Sequence, residues 1–189
     1  GYVRSEECAS AYLTCDPEYE TYAILILSSA VNQDGRSSTL TAPNGPAQQN
    51  VVLRALQESS SSSFLHRLQM HGTGTSLGDP IEIGAILAVS AQHRTHAGKP
   101  LELQCGKSLH GHSEPAAGLS ALISSTDAAM GRRNKGICHL VSMNPHISQQ
   151  LLSNPGYLNL SAPRGQHPQS TPNKETQGTC GVSAFAFQG

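Results

Sequence analysis

Two histidines stand in similar company. His71 opens the run MHGTGTSLGDPIEIG (70–84), and His112 lies inside GKSLHGHSEPAAG (106–118). An imidazole can move a proton, ligate a metal or donate a hydrogen bond to a developing oxyanion. Thr73 and Thr75 add hydroxyls beside His71, and Lys107 adds an ammonium at the end of an apolar strand. A lone loop histidine needs none of this chemistry, because local hydrogen bonds satisfy it. As a phosphate cradle, GTGTSLG departs from GxGxxG and lacks the Lys-Ser/Thr pair of a P-loop. As a metal site, His110 and His112 form an HxH pair near Cys105 and Glu114, but the spacing matches no strong zinc pattern, and no metal is expected. A hydrolase would want a nucleophile elbow, and GVSAF at 181–185 fails at its fifth residue. What remains is a pair of histidines, a lysine and two threonines sharing a cleft, with the reaction undefined.

These side chains need elements to hold them. FLHRLQM (64–70) and LELQC (101–105) read as strands, and GVSAFAF (181–187) is strand-like. AILIL (23–27) reads as a further, buried strand. NGPAQQNVVLRALQES (44–59) reads as a helix with Asn44 as cap, Pro46 near its start and Ala47, Val51, Val52, Ala55 and Leu56 on one face. A second helix follows His71. Asp79 is its expected N-cap, Pro80 suits the first turn, and Glu82 completes a capping box. Its apolar stripe is Ile81, Ala85, Ala88 and Val89. A third covers 113–130, with Ser113 as cap and Gly131 as stop signal. Strands alternating with helices imply an α/β layer structure. His71 and His112 each follow a strand and precede a helix. Open α/β sheets collect ligands at the carboxyl ends of their strands, so the two histidines are expected to converge on one pocket.

Composition narrows the classes. The 189 residues suit one ordinary domain or part of a larger one. Charged residues make up 13%, about half the ~25% of soluble domains, which suggests contact with other protein. A net charge of −1 leaves no electrostatic footprint for nucleic acid. No apolar run approaches the ~20 residues of a membrane helix. The chain starts with Gly and carries no signal-peptide pattern, so it is expected to begin mid-protein, with organelle targeting left open. Its five cysteines include no CxxC, which fits reduced thiols in an intracellular, cytoplasmic setting rather than a disulfide framework. ESSSSSF (58–64) and 161–178 read as solvated connections.

Together the motifs resemble the β-ketoacyl synthase (ketosynthase) domain of type I, modular polyketide synthases, in the thiolase-like superfamily. GYVRSEEC resembles the segment downstream of that family's nucleophile. SAVNQDGRSSTLTAPNGPAQQ is similar to a family hallmark. HGTGTSLGDPIEIGA and GKSLHGHSEPAAG are similar to its first and second histidine motifs, and GVSAFAFQG to its final segment. The resemblance implies a layered α-β-α thiolase-like fold, with residues 1–189 as the C-terminal half of the domain. The family's cysteine lies in an upstream Thr-Ala-Cys-Ser-type motif, and none of the five cysteines has that context.

The family's reaction is a decarboxylative Claisen condensation. An acyl group sits on the cysteine, malonyl arrives on the phosphopantetheine arm of an acyl carrier protein, and the enolate left by decarboxylation attacks the acyl thioester. Carried over by motif position, His71 and His112 are the active-site histidines and Lys107 their electrostatic support. Thr73 and Thr75 bond the pantetheine amides. Asp79 and Glu82 are supporting acidic positions, and Phe187 is the gating phenylalanine. Neutral imidazoles suit an enolate, and helix N-termini favour neutrality. No cofactor is expected to bind directly. Implied partners are the carrier protein, malonyl and acyl thioesters, other polyketide synthase domains and a second copy in a homodimer. This segment alone is expected to be inactive. The alternatives are a non-condensing ketosynthase-like domain that binds carrier protein or acyl chain, or an inactive fragment. The pattern also departs from the family. Ser5 and Glu7 stand where Gly is common, Leu109 and His110 replace Asn and Ile, and Ser113 and Pro115 replace Leu and Ala. His110 is expected either to crowd His112 or to point outward.

Overall fold

The computed structural model describes residues 3–15, 24–35, 42–59, 65–92, 100–130, 137–138, 140–160 and 178–186. In chain order the elements are α1 (Gly45–Glu58), β1 (Leu65–Gln69), α2 (Gly78–Gln92), β2 (Leu101–Gln104) and the single turn α3 (Lys107–His110). A 3₁₀ turn (Glu114–Ala116) follows, then α4 (Ala117–Ala129), α5 (Pro145–Ser153), β3 (Leu158–Leu160) and β4 (Thr179–Val182). Asn44 caps α1 as expected, its side chain accepting the Ala47 N–H at 3.1 Å.

The strands form one sheet in the order β3-β2-β1-β4, and every pairing is parallel. Residues in register across a parallel pair point to the same face. Leu68 pairs with Leu103, and Leu101 with Leu158. This apolar face meets Ile83, Ile86 and Leu87 of α2 and Ile147 of α5 in a single core. The opposite face carries Arg67, in register with Glu102 and Cys180. Its guanidinium bonds the Glu102 carboxylate at 3.0 Å and the Ala128 carbonyl of α4 at 3.1 Å. Helix α4 therefore covers the second face, and the layers run α-β-α.

Several expectations need correcting. The segment 24–27 is not a buried strand: it pairs with no strand among the described residues, and Leu25, Ile26 and Leu27 are exposed. A strand needs a neighbour's ladder to satisfy its backbone. Helix α2 is not buried along a single stripe. Its most buried residue is Ile83, at 1% exposure, because α1 and α5 as well as the sheet pack against this helix. The third helix begins at Ala117 rather than Ser113, after the 3₁₀ turn that contains Pro115. Sequence reading missed α5 and β3 altogether. Asn144 accepting the His146 N–H at 2.9 Å and Pro145 in the first turn form an ordinary helix start, followed by Ile147 and Leu151 four apart. The loop 60–64, the stop signal Gly131 and the connection 161–177 lie outside the described residues.

Leu103 is 0% exposed at the middle of the sheet. Leu103→Ala is expected to lower the unfolding free energy by about 2–5 kcal/mol in denaturant titration.

Candidate active site

The first histidine loop hangs from a buried carboxylate. After β1, the Met70 N–H still donates to the Gln104 carbonyl at 2.8 Å, and then the chain leaves the sheet. The His71 and Gly72 N–H groups donate to Glu82 Oε1 and Oε2 at 2.8 and 2.9 Å. The Ser183 hydroxyl, just past β4, donates to Oε1 at 2.6 Å, and its oxygen also accepts from the His71 N–H at 3.2 Å. Gly72 turns at φ +47°, and a Cβ there would stand 2.7 Å from the Cys105 Sγ. That thiol donates to the Gly72 carbonyl at 3.1 Å.

The expected capping box is therefore absent. Glu82 faces the loop, not its own helix end, because the loop's N–H groups would otherwise lie unpaired in the interior. Asp79 likewise turns back and accepts the Gly74 N–H with both oxygens at 3.1 Å. The cap comes from Thr75, whose Oγ1 accepts the Gly78 N–H at 3.1 Å. Burial pushes the Asp79 and Glu82 carboxyls upward from their usual range, against the pull of these hydrogen bonds.

The second loop arrives from the neighbouring strand. Lys107, at the start of α3, donates from Nζ to the His71 carbonyl and so ties the loops together. Gly111, at φ +78°, reverses the chain. His112 then joins the N-terminal segment: its N–H donates to the Val3 carbonyl at 2.7 Å, and its carbonyl accepts the Ser5 N–H at 3.1 Å. The Glu114 N–H donates to His112 Nδ1 at 3.2 Å. An accepting Nδ1 leaves the proton of the neutral ring on Nε2. His110 does not point outward. Both its ring nitrogens are buried without a hydrogen-bond partner, and a Cβ on Gly106 would lie 2.7 Å from its Nε2.

The two loops bring the histidines into contact. The His71 and His112 ring centroids are 5.2 Å apart, with planes at 85°. Phe185, beyond β4, packs edge-on against His71 at 5.8 Å. His112, Lys107, Thr73, Thr75 and Asp79 line a cavity of about 580 Å³, and His71 meets it through His112 rather than on its wall. The two threonine hydroxyls are 3.3 Å apart. The His71 pKa falls to about 3, through burial first and then the Lys107 ammonium and His112. His112 is lowered by burial and Lys107, against the opposing pull of Glu114. Lys107 is itself lowered by burial. Burial and a neighbouring ammonium thus supply the neutrality that was expected from helix ends.

All the sequence-predicted site residues except Phe187 fall within this region, and Phe187 lies outside the described residues. Sequence reading missed Ser183, Phe185 and the structural use of Cys105. Ser183 was visible only as the serine of GVSAF. GTSLG (74–78) also has the spacing of a nucleophile elbow, yet Ser76 is exposed and β1 ends seven residues before it, so it is no strand-to-helix elbow. Among the described residues no group of three His, Cys, Asp or Glu could hold a metal.

A parallel sheet layered by helices, with two neutral histidines at its carboxyl edge, defines a thiolase-like α/β fold. The family described as "Beta-ketoacyl synthase, C-terminal domain" matches residues 22–139. The chain belongs to that family. It is 44% identical over 124 residues to the mycoketide-CoA synthase of Mycobacterium tuberculosis, covering 65% of this chain and 3% of the relative. It is 46% identical over 135 residues to polyketide synthase GfsE of Streptomyces halstedii, covering 70% of this chain and 4% of the relative. Among solved structures it is similar to the oxazolomycin ketosynthase domain OzmH KS7 of Streptomyces albus, with a TM-score of 0.69 and 30% identity over 87% of this chain and 27% of that one. The chain thus spans a few per cent of these synthases, 3% in the first case, and 27% of the solved ketosynthase. No helix among the described residues is long and apolar enough to cross a membrane.

A native pKa of about 3 for His71, against an ordinary 6.5, means that the unfolded chain binds a proton in this interval and the native state does not. Stability is therefore full above pH 6.5 and lost as pH falls toward 3. Histidine-resolved NMR should show no His71 titration between pH 8 and 5, while the denaturation midpoint drops on acidification.

Proposed function

We propose that this chain forms the histidine-and-lysine portion of a ketosynthase condensing site, acting on a malonyl-type thioester carried by phosphopantetheine. The observation that carries the reading is the pair of neutral imidazoles in contact at the sheet's carboxyl edge, with the tautomer of His112 set by the Glu114 N–H.

Loss of carbon dioxide from the malonyl group leaves negative charge on the thioester oxygen. His112 donates from Nε2–H toward that oxygen, and His71 supports it from the adjoining ring. A neutral donor aimed beforehand at developing charge lowers the barrier without reorganising at the moment of reaction. Lys107 fixes the His71 loop through its carbonyl, and burial together with its ammonium keeps both imidazoles unprotonated. The Thr73 and Thr75 hydroxyls, on the cavity wall, bond the amides of the pantetheine arm, and the glycines between and beside them let it approach. Phe187 gates the acyl side. The enolate then attacks an acyl thioester held on a cysteine supplied by the rest of the domain, forming the new carbon–carbon bond and releasing that thiolate.

In this reading the enzyme is an acyltransferase of the 3-oxoacyl synthase type within an intracellular polyketide synthase. Its partners are an acyl carrier protein, neighbouring synthase domains and a second copy of the domain. The named relatives, which are polyketide synthases, support it.

In the intact domain, His71→Ala and His112→Ala are each expected to slow malonyl decarboxylation, read as carbon dioxide release, by about 10²–10³-fold. Undiminished release in both variants would overturn the assignment.

A further inference from the structure

Three positions that depart from the family's pattern meet in one place. Glu7 Oε2 accepts from the Ser113 hydroxyl at 2.8 Å, and Oε1 accepts from the Ser120 hydroxyl at 2.7 Å. Both serines are buried, at 5% exposure, while Glu7 itself lies at the surface. One carboxylate therefore spans the loop that carries His112 and the first turns of α4. Ser5, the third departure, donates its N–H to the His112 carbonyl and packs where a Cβ on Gly111 would come within 3.0 Å.

The turn held in this way is under strain. Glu114 is the one non-glycine with positive φ among the described residues, at +49°, a conformation that persists only where its surroundings enforce it. That turn aims the Glu114 N–H at His112 Nδ1. Ser113 lies between the two, so pinning its side chain pins the turn. Arg4 adds an exposed ion pair to Glu114 at 3.1 Å.

We propose that Glu7 is a positioning residue for His112: by clamping Ser113 and Ser120, its carboxylate holds the turn that presents the Glu114 N–H to His112 and so fixes the ring's tautomer and orientation. The Glu7 carboxyl is held below its usual range by the Ser120 hydroxyl first and by Ser113 and His110 as well, with burial opposing, so it stays ionised and able to accept both bonds near neutral pH. The catalytic consequence rests on the reading of His112 as an enolate-stabilising donor. The geometric consequence does not.

The test compares Glu7→Ala, Glu7→Gln and Ser120→Ala in the intact domain. Long-range proton–nitrogen correlation on histidine-labelled protein is expected to show His112 as the Nε2–H tautomer in the parent. Glu7→Gln should keep it, because an amide can accept from one serine and donate to the other. Glu7→Ala should give a mixture of tautomers, with His71 signals unmoved. Ser120→Ala, which cuts one arm, should fall between and covers the case in which Glu7→Ala does not fold. Malonyl decarboxylation at saturating substrate should drop about tenfold in Glu7→Ala and recover in Glu7→Gln, with KM unchanged. A parent-like tautomer in Glu7→Ala, or in Ser120→Ala where the first does not fold, overturns the clamp. So does a loss of thermal stability with the His112 signal and rate unchanged. If His71→Ala and His112→Ala both leave decarboxylation intact while the tautomer shifts as described in the Glu7 variants, the condensing reading fails and the clamp stands.

Discussion

The Glu82 carboxylate is the interaction on which the site depends. It sits at 3% exposure and accepts from two consecutive backbone N–H groups after β1 and from a hydroxyl after β4. Burying a carboxylate is costly unless its oxygens are fully used. Here each oxygen has at least one donor, and the donors come from two adjacent strand ends. Helix α2, which carries Glu82, packs against the sheet core, α1 and α5, so the carboxylate stands on a held element. His71 is placed by its own N–H rather than by its ring, and the ring remains available for His112 and for chemistry. Asp79 repeats the device one turn earlier at Gly74. A flexible, glycine-rich loop thereby acquires a fixed shape without regular secondary structure.

Charge is organised around the same point. Lys107 is the cation near both imidazoles and disfavours a proton on either. Asp79 and Glu82 lie close enough to Lys107 to oppose its desolvation. The order is thus carboxylate, ammonium, neutral imidazole. On the proposed reading, the neutral His112 on the cavity wall donates a hydrogen bond that strengthens as negative charge builds on a substrate oxygen. On the same reading, an imidazolium in that position would bind an anionic substrate carboxylate as readily as the transition state, and interactions made equally in both states do not lower the barrier.

Legibility in the sequence followed how local each signal was. Helix α1 and strands β1 and β2 were readable because cap, proline and apolar spacing lie within the segment. The convergence of His71 and His112 was readable too, since strand–loop–histidine–helix recurs and parallel strands end at one edge. Local spacing misread Asp79 and Glu82 as caps, because the competing N–H groups come from a loop whose fold is not written in the helix; only the resemblance marked both as supporting acidic positions. Ser183 lies about a hundred residues from the carboxylate it serves, so no window could join them. The segment 24–27 has the pattern of a buried strand and is uncovered, which separates strand propensity from strand formation: the pattern is local and the partner is not.

The strand order explains why the crevice lies where it does. β1 lies between β2 and β4, and all three strands are parallel, so their carboxyl ends share one edge of the sheet. Ligands of open parallel sheets bind outside the carboxyl ends of the strands. His71 stands at the end of β1, Lys107 and His112 follow β2, and Ser183 and Phe185 follow β4. Each of these three strands thus contributes a different part. The first supplies the His71 imidazole, the second the ammonium and the tautomer-fixed ring, and the third the hydroxyl that completes the carboxylate's shell and the ring that packs on His71. The departures at 109–115 leave this division intact. Leu109 is half exposed, the His110 ring lies against Gly106, and Ser113 is bonded to Glu7. None of the three replaces a bond that places His71, so a changed pattern beside His112 is compatible with an unchanged pair of imidazoles.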